Sequence, residues 1–224
     1  MKSIVISIGG SVILSEEVTV SFLKKLADLV KKISKQYKVF IVVGGGNVAR
    51  KYIKLGRELG FDEQILDSLG IDITRVNAKL LTNFLEKSNT EIPITTNEAK
   101  NIDKSIVVMG GTIPGHSTDM VSAELAEKIQ ADLFIIATNV DGIYDKDPNK
   151  YSDAKQIKEI KINQLIERFG TKWKMAGENT VVDGPALNII KRAQLKTYVL
   201  NGKRLEQLEK AVNNQSFDGT IIIV

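Results

Sequence analysis

Residues 38–50 read KVFIVVGGGNVAR, and the fold follows from that stretch. Val39 to Val43 form an unbroken apolar run of strand length, closed by Gly44-Gly45-Gly46. Asn47 comes next, and then Val48, Tyr52, Leu55 and Leu59 recur at helical spacing. A buried strand therefore enters three glycines and passes directly into a helix. Glycine permits positive φ and close approach of a ligand to the backbone. The helix N-terminus adds free N–H groups and partial positive charge. Arg50 lies about one turn into the helix, where a guanidinium can grip a phosphate through two donors.

The same unit recurs on either side. Residues 4–8 form a short apolar strand ending in Gly9-Gly10-Ser11. Phe22, Leu23, Leu26, Leu29, Val30 and Ile33 then mark one helix face, with Glu16 and Glu17 suited to its start. Residues 105–109 make a third strand entering GGTIPGHSTD, ahead of a helix carrying Val121, Leu125 and Ile129. Residues 133–137 make a fourth, entering TNVDGIYDKDP. Strand, glycine loop and helix repeated without hairpin signals predict parallel βαβ units, whose ligand loops gather at the carboxyl ends of the strands.

Residues 62–87 predict a long helix with two apolar sides. One carries Ile65, Leu69, Ile73, Val76, Leu80 and Phe84, the other Gly70, Ile71, Thr74, Ala78 and Leu81. Such a helix is expected to be covered twice, by its own sheet and by another subunit. Beyond Pro148 come helices near 162–169, 186–193 and 205–212, with strands at 197–200 and 220–224. With no Gly-, Ser- or Pro-rich linker, residues 1–224 read as one domain, with a change of role near residue 148 inside one compact unit.

Composition narrows the function classes. The 224 residues include 31 basic and 27 acidic side chains, a net charge of +4 too small and dispersed to argue for nucleic acid. The absence of cysteine excludes disulfides, thiolate metal sites and cysteine nucleophiles, and one histidine excludes a multi-histidine zinc site. The first residues lack a signal-peptide pattern and no apolar run reaches membrane-spanning length, so a cytoplasmic protein is expected. GGTIPGHS, at 110–117, approaches the P-loop pattern, but His116 stands in place of its lysine and cannot supply a permanent charge. Phosphate binding there would use backbone N–H groups and the hydroxyls of Thr112, Ser117 and Thr118. Asp141-Gly142, Asp145 and Asp147-Pro148 make a dense turn, as turn chemistry alone would.

Taken in order, GGSV (9–12), VVGGGNVAR (42–50), DSLGIDITRVNA (67–78), GGTIPGHSTD (110–119) and TNVDGIYDKDP (138–148) resemble the amino acid kinase superfamily, within it the archaeal-type uridylate kinases. The resemblance covers nearly the whole chain, and the block at 67–78 is its most discriminating part. It implies a three-layer α/β/α sandwich around a mostly parallel sheet, a homohexamer, and phosphoryl transfer from ATP with Mg²⁺ to UMP, with 1–148 mainly an acceptor-site lobe and 149–224 mainly an ATP-side lobe. UTP feedback inhibition also occurs in the family. By motif, Gly45, Asp67, Thr112, Ile113, Pro114, Gly115, His116, Ser117 and Thr118 would meet UMP. Gly9, Gly10, Gly46, Arg50, Thr138, Asn139, Tyr144 and Asp147 would meet ATP. Arg50, Gly10, Ser11 and Asp141 would carry catalysis, and no metal ligand is assigned. Many members place a lysine where this chain has Ser7, so Arg50, backbone N–H groups and Mg²⁺ are expected to carry more of that load, with Lys172 or Lys174 as further candidates. Related kinases of acetylglutamate, carbamate or isopentenyl phosphate share the ATP loops, and a nucleotide-binding regulator without turnover is the rival of another class.

Overall fold

The computed structural model describes residues 1–15, 18–171 and 181–224. The chain runs β1 (Lys2–Ile8), α1 (Gly10–Ile13), α2 (Val20–Ile33), β2 (Tyr37–Val43), α3 (Gly46–Glu58) and α4 (Glu63–Phe84). Next come α5 (Thr96–Asn101), β3 (Ile106–Met109), α6 (Thr118–Lys128), β4 (Leu133–Thr138), β5 (Ile143–Tyr144) and β6 (Gln156–Ile157). It closes with β7 (Glu159–Lys161), α7 (Ile162–Phe169), α8 (Gly184–Arg192), β8 (Thr197–Asn201), α9 (Leu205–Val212) and β9 (Gly219–Ile223).

The central sheet has the order β3-β2-β1-β4-β8-β9-β7. Strands β3, β2, β1, β4 and β8 are mutually parallel, and β9 runs antiparallel to β8. Side-chain alternation along each strand divides the core. Ile4, Ile6, Val39, Ile41, Ile106 and Ile135 pack with α2, α4 and α9 on one face. Val5, Phe40, Val42, Val107, Phe134 and Ile136 pack with α5, α6, α7 and α8 on the other. The repeated strand–loop–helix pattern predicted the parallel strands, and the layers are those of the α/β/α sandwich implied by the family resemblance. Phe40 and Phe134 are fully buried, and each such side chain contributes roughly 1.5–3 kcal/mol by leaving water.

Local signals set the helix starts. Thr19 caps α2 by accepting from the Phe22 N–H, whereas Glu16 and Glu17, expected there, lie outside the described residues. Asp62 caps α4 by accepting from the Ile65 N–H at 2.9 Å. Sequence reading missed short α1 and α5, the β5–β6 hairpin, strand β7, and the reversed direction of β9. The hairpin strands have two residues each, too few for alternation to register.

The two-sided helix is α4. Its Ile71, Thr74, Ala78 and Leu81 are buried, while Ile65, Val76 and Leu80 are exposed, Val76 at 63%. The stripe on α3 also faces outward: Val48, Tyr52, Leu55 and Leu59 are exposed, and Ala49, Ile53 and Gly56 are the buried residues. Periodicity located the two apolar faces of α4, but on α3 it picked out the outward face and missed Ala49, Ile53 and Gly56; among the described residues one apolar face of each helix is left exposed.

Candidate active site

Because β1 to β4 are parallel, the loops leaving them emerge at one edge of the sheet. The first two touch backbone to backbone. A Cβ on Gly10 would lie 2.2 Å from the Gly46 nitrogen, and Gly46 itself has φ +65. Only glycine fits at either position. The N-termini of α1 and α3 are thereby brought side by side, and both point N–H groups toward the same space.

That space is a cleft of about 200 Å³ lined by Ser7, the glycines of both loops, Ser11, Arg50, Ser117, Thr118, Asp119, Asn139 and Asp183. A second cavity of about 170 Å³ adjoins it and shares Gly45, Gly46, Arg50, Ser117 and Thr118 with it. Its remaining walls include Asp67, Ile71 and Thr74 of α4, with Gly111 and His116. A third, also about 170 Å³, opens from the other end of the cleft through Thr138, Asn139, Phe169 and Val181. It is bounded by Tyr144, Asp147 and Pro148. The three form one continuous trough, with Arg50 where the first two meet.

Helix α4 holds two of the loops in register. Asn77 donates to the Gly44 carbonyl at 2.8 Å, and the Thr74 hydroxyl accepts from the Gly111 N–H at 2.6 Å. Asp67 accepts from the Gly115 N–H at 2.6 Å. The motif at 67–78 is thus a row of side chains that grip loop backbone.

Most residues expected at the site do gather there. Gly9, Gly10, Ser11, Gly45, Gly46, Arg50, Asp67, His116, Ser117, Thr118, Thr138 and Asn139 line the cleft or the second cavity, and Tyr144 and Asp147 the third. Thr112, Ile113, Pro114 and Gly115 continue the loop beside the second cavity, with Ile113 exposed. Asp141 is placed differently. Its carboxylate accepts from Asn201 at 3.0 Å and pairs with Arg204 at 3.4 Å, outside all three cavities. That network ties the loop after β4 to α9, so Asp141 sits where it braces the wall rather than where phosphates would lie. The division at residue 148 is not a division of cavities: the first 148 residues line both ends of the trough. Lys172 and Lys174 lie outside the described residues.

Two acids that sequence reading left unassigned dominate the electrostatics. Ser7, where the family resemblance led a lysine to be expected, is 2% exposed and donates to Asp119 at 2.8 Å. Asp183 accepts from the Ser117 hydroxyl and, as the cap of α8, from the Ala186 N–H at 2.8 Å. Enclosure pushes the Asp119 carboxyl up to about 7, helped by the nearby negative charge of Asp183. Enclosure also pushes Asp183 up, to about 6. Arg50 is half-enclosed, which lowers its pKa, yet a guanidinium remains charged at neutral pH. Asp119 was visible in GGTIPGHSTD, but nothing in the linear pattern pairs it with Asp183.

Two glycine loops entering helices beside one arginine at a shared cleft are the arrangement expected of a phosphotransferase acting on small molecules. The chain belongs to the amino acid kinase family, which residues 2–201 match. It is 45% identical to a uridylate kinase of Methanobrevibacter smithii over 223 residues, covering 98% of each chain. It is 46% identical to a uridylate kinase of Methanocaldococcus jannaschii over 225 residues, again covering 98% of each. The crystal structure of uridylate kinase from Archaeoglobus fulgidus superposes with a TM-score of 0.87 at 41% identity, covering 98% of this chain and 99% of that one.

Proposed function

We infer that this chain is a UMP kinase, moving the γ-phosphoryl group of ATP to UMP and releasing UDP and ADP. The observation that carries the reading is the continuous trough, with a base-sized cavity at each end and a glycine-lined cleft between. A nucleoside triphosphate laid from the Tyr144 end would bring its terminal phosphate to Arg50. A nucleoside monophosphate in the α4 cavity would meet it there.

The chemistry asks little of an acid or base. The UMP phosphate is already anionic at neutral pH, so positioning and charge neutralisation supply the rate. Aligning both reactants is worth roughly 7–11 kcal/mol. The N–H groups of α1 and α3 would hold the donor phosphates, Arg50 would bridge both reactants, and Asp67 would accept from the ribose hydroxyls of UMP. Mg²⁺ fits the donor set. Asp119, Asp183 and two hydroxyls provide hard oxygens, and no cluster of three or more metal-ligating residues occurs among the described residues, which suits a cation that keeps several waters. When bound by Asp119 and Asp183, it would supply positive charge where the family resemblance led a lysine to be expected.

The outward apolar faces of α3 and α4 support a homo-oligomer, in line with the expected homohexamer. Strand β3 is an edge strand, and the Asn89 side chain already bonds both the N–H and the carbonyl of Val108. Copies would therefore meet through helices rather than through a continued sheet. Inhibition by UTP belongs to the same reading.

The test is an ADP-release assay with ATP and each of UMP, CMP, acetylglutamate, carbamate and isopentenyl phosphate. Turnover is expected with UMP at a rate at least about tenfold above the non-nucleotide acceptors, a difference of about 1.4 kcal/mol in barrier. Turnover of acetylglutamate, carbamate or isopentenyl phosphate without UMP would replace the substrate, and nucleotide binding without ADP release would remove the kinase reading.

A further inference from the structure

We propose that Arg75 is a positioning residue for the acceptor, acting through the backbone of the loop at 111–115. The proposal rests on the reading of that loop as the acceptor side of the trough. Arg75 lies on α4 immediately after Thr74, but it does not line the acceptor cavity. Its Nε donates to the Gly111 carbonyl at 3.2 Å, and a terminal nitrogen donates to the Thr112 carbonyl at 2.9 Å. Among the described residues it has no carboxylate partner. A half-buried guanidinium thus commits its fork to two neutral carbonyls of consecutive residues.

The geometry has a direct consequence. A trans peptide sets the carbonyl of one residue opposite the N–H of the next. With the Gly111 and Thr112 carbonyls drawn to Arg75, the N–H groups of Thr112 and Ile113 are turned away from it. Neither has a hydrogen-bond partner among the described residues. The Thr112 hydroxyl is likewise buried without a partner. Three polar groups on adjacent residues are therefore unused, and Arg75 sets the direction of two of them.

The remainder of the loop is fastened to the same helix. Thr74 accepts from the Gly111 N–H, and Asp67 accepts from the Gly115 N–H about two turns away along α4. Gly110 packs on the helix backbone so closely that a Cβ would lie 2.8 Å from the Arg75 nitrogen. Between these fastenings, among the described residues, only Arg75 sets the orientation of the Gly111–Thr112 and Thr112–Ile113 peptides. The free donors suit the oxygens of an acceptor nucleotide, either carbonyl oxygens of its base or those of its phosphate.

The experiment compares Arg75→Met and Arg75→Lys with wild type, measuring UMP and ATP dissociation constants by calorimetry and turnover by ADP release. Arg75→Met is expected to weaken UMP about tenfold while ATP changes less than twofold and kcat less than about threefold. Arg75→Lys keeps the charge but cannot span two carbonyls as a fork, and is expected to recover only part of the loss. Wild-type affinity in Arg75→Lys would show that charge alone matters and would overturn the proposal. Equal weakening of ATP and UMP, or none, would do the same. If Arg75→Met fails to fold, the lysine variant decides alone. Failure of wild type to bind UMP would overturn the acceptor reading and this proposal together, whereas normal wild-type binding with unchanged variants overturns the proposal only.

Discussion

Replacing Asp119 with asparagine is expected to stabilise the nucleotide-free protein and abolish its turnover. The folded carboxyl is pushed from 3.8 to about 7, so the folded state holds that proton far more tightly than the unfolded chain. Roughly three pK units correspond to about 4 kcal/mol of penalty once the group is ionised. The sign follows from proton binding. Between about pH 4 and 7 the folded state binds more protons than the unfolded one, so wild type loses stability as pH rises through that window and is level above it. Asparagine keeps the shape, can still accept from Ser7, and has no such slope. Its advantage should be full at pH 8 and shrink to roughly a third at pH 5. For a chain of this length, about 4 kcal/mol raises Tm by about 8–16 °C. The assay is thermal unfolding by circular dichroism in EDTA at pH 5 to 8, beside ADP release with Mg²⁺. Turnover should fall by at least about a hundredfold, the scale of losing one charge-stabilising group. A variant less stable than wild type at pH 8, or equally displaced at every pH, would refute the argument.

Arg50→Ala should cut turnover by at least about tenfold with an unchanged circular dichroism spectrum, because it removes the one guanidinium shared by cleft and acceptor cavity. Near-normal steady-state rates would count against a phosphate role. Asp67→Asn should weaken UMP several-fold more than ATP in titrations, since Asp67 both walls the acceptor cavity and fastens the Gly115 N–H. Equal weakening of both would remove it from the acceptor side. Leu55→Asp places a charge on the outward face of α3 and should lower the assembled mass seen by light scattering; an unchanged mass would move the interface elsewhere.

Much of the architecture was legible because its signals are local. An apolar run of strand length, glycines and a helical stripe each report on a few neighbouring residues. Repeated without hairpins, they predict parallel strands and hence loops at one edge. The β5–β6 hairpin escaped because strands of two residues carry no period. The direction of β9 escaped because alternation reads the same for parallel and antiparallel pairing.

The sequence alone established that glycine loops would converge, and that Arg50 and the hydroxyls of Ser117 and Thr118 would stand among them. Spacing also identified two apolar faces on α4, though not which of them would be left open. Tertiary structure decided the rest. It brought Asp119 beside Asp183 from distant parts of the chain, drew Asp141 into a brace with Arg204, and turned Thr74, Arg75 and Asn77 into grips on loop backbone. The reason is physical: periodicity specifies which side chains share a face, whereas the partner met by that face, and the electrostatics it thereby acquires, depend on elements that come together only when the chain is folded.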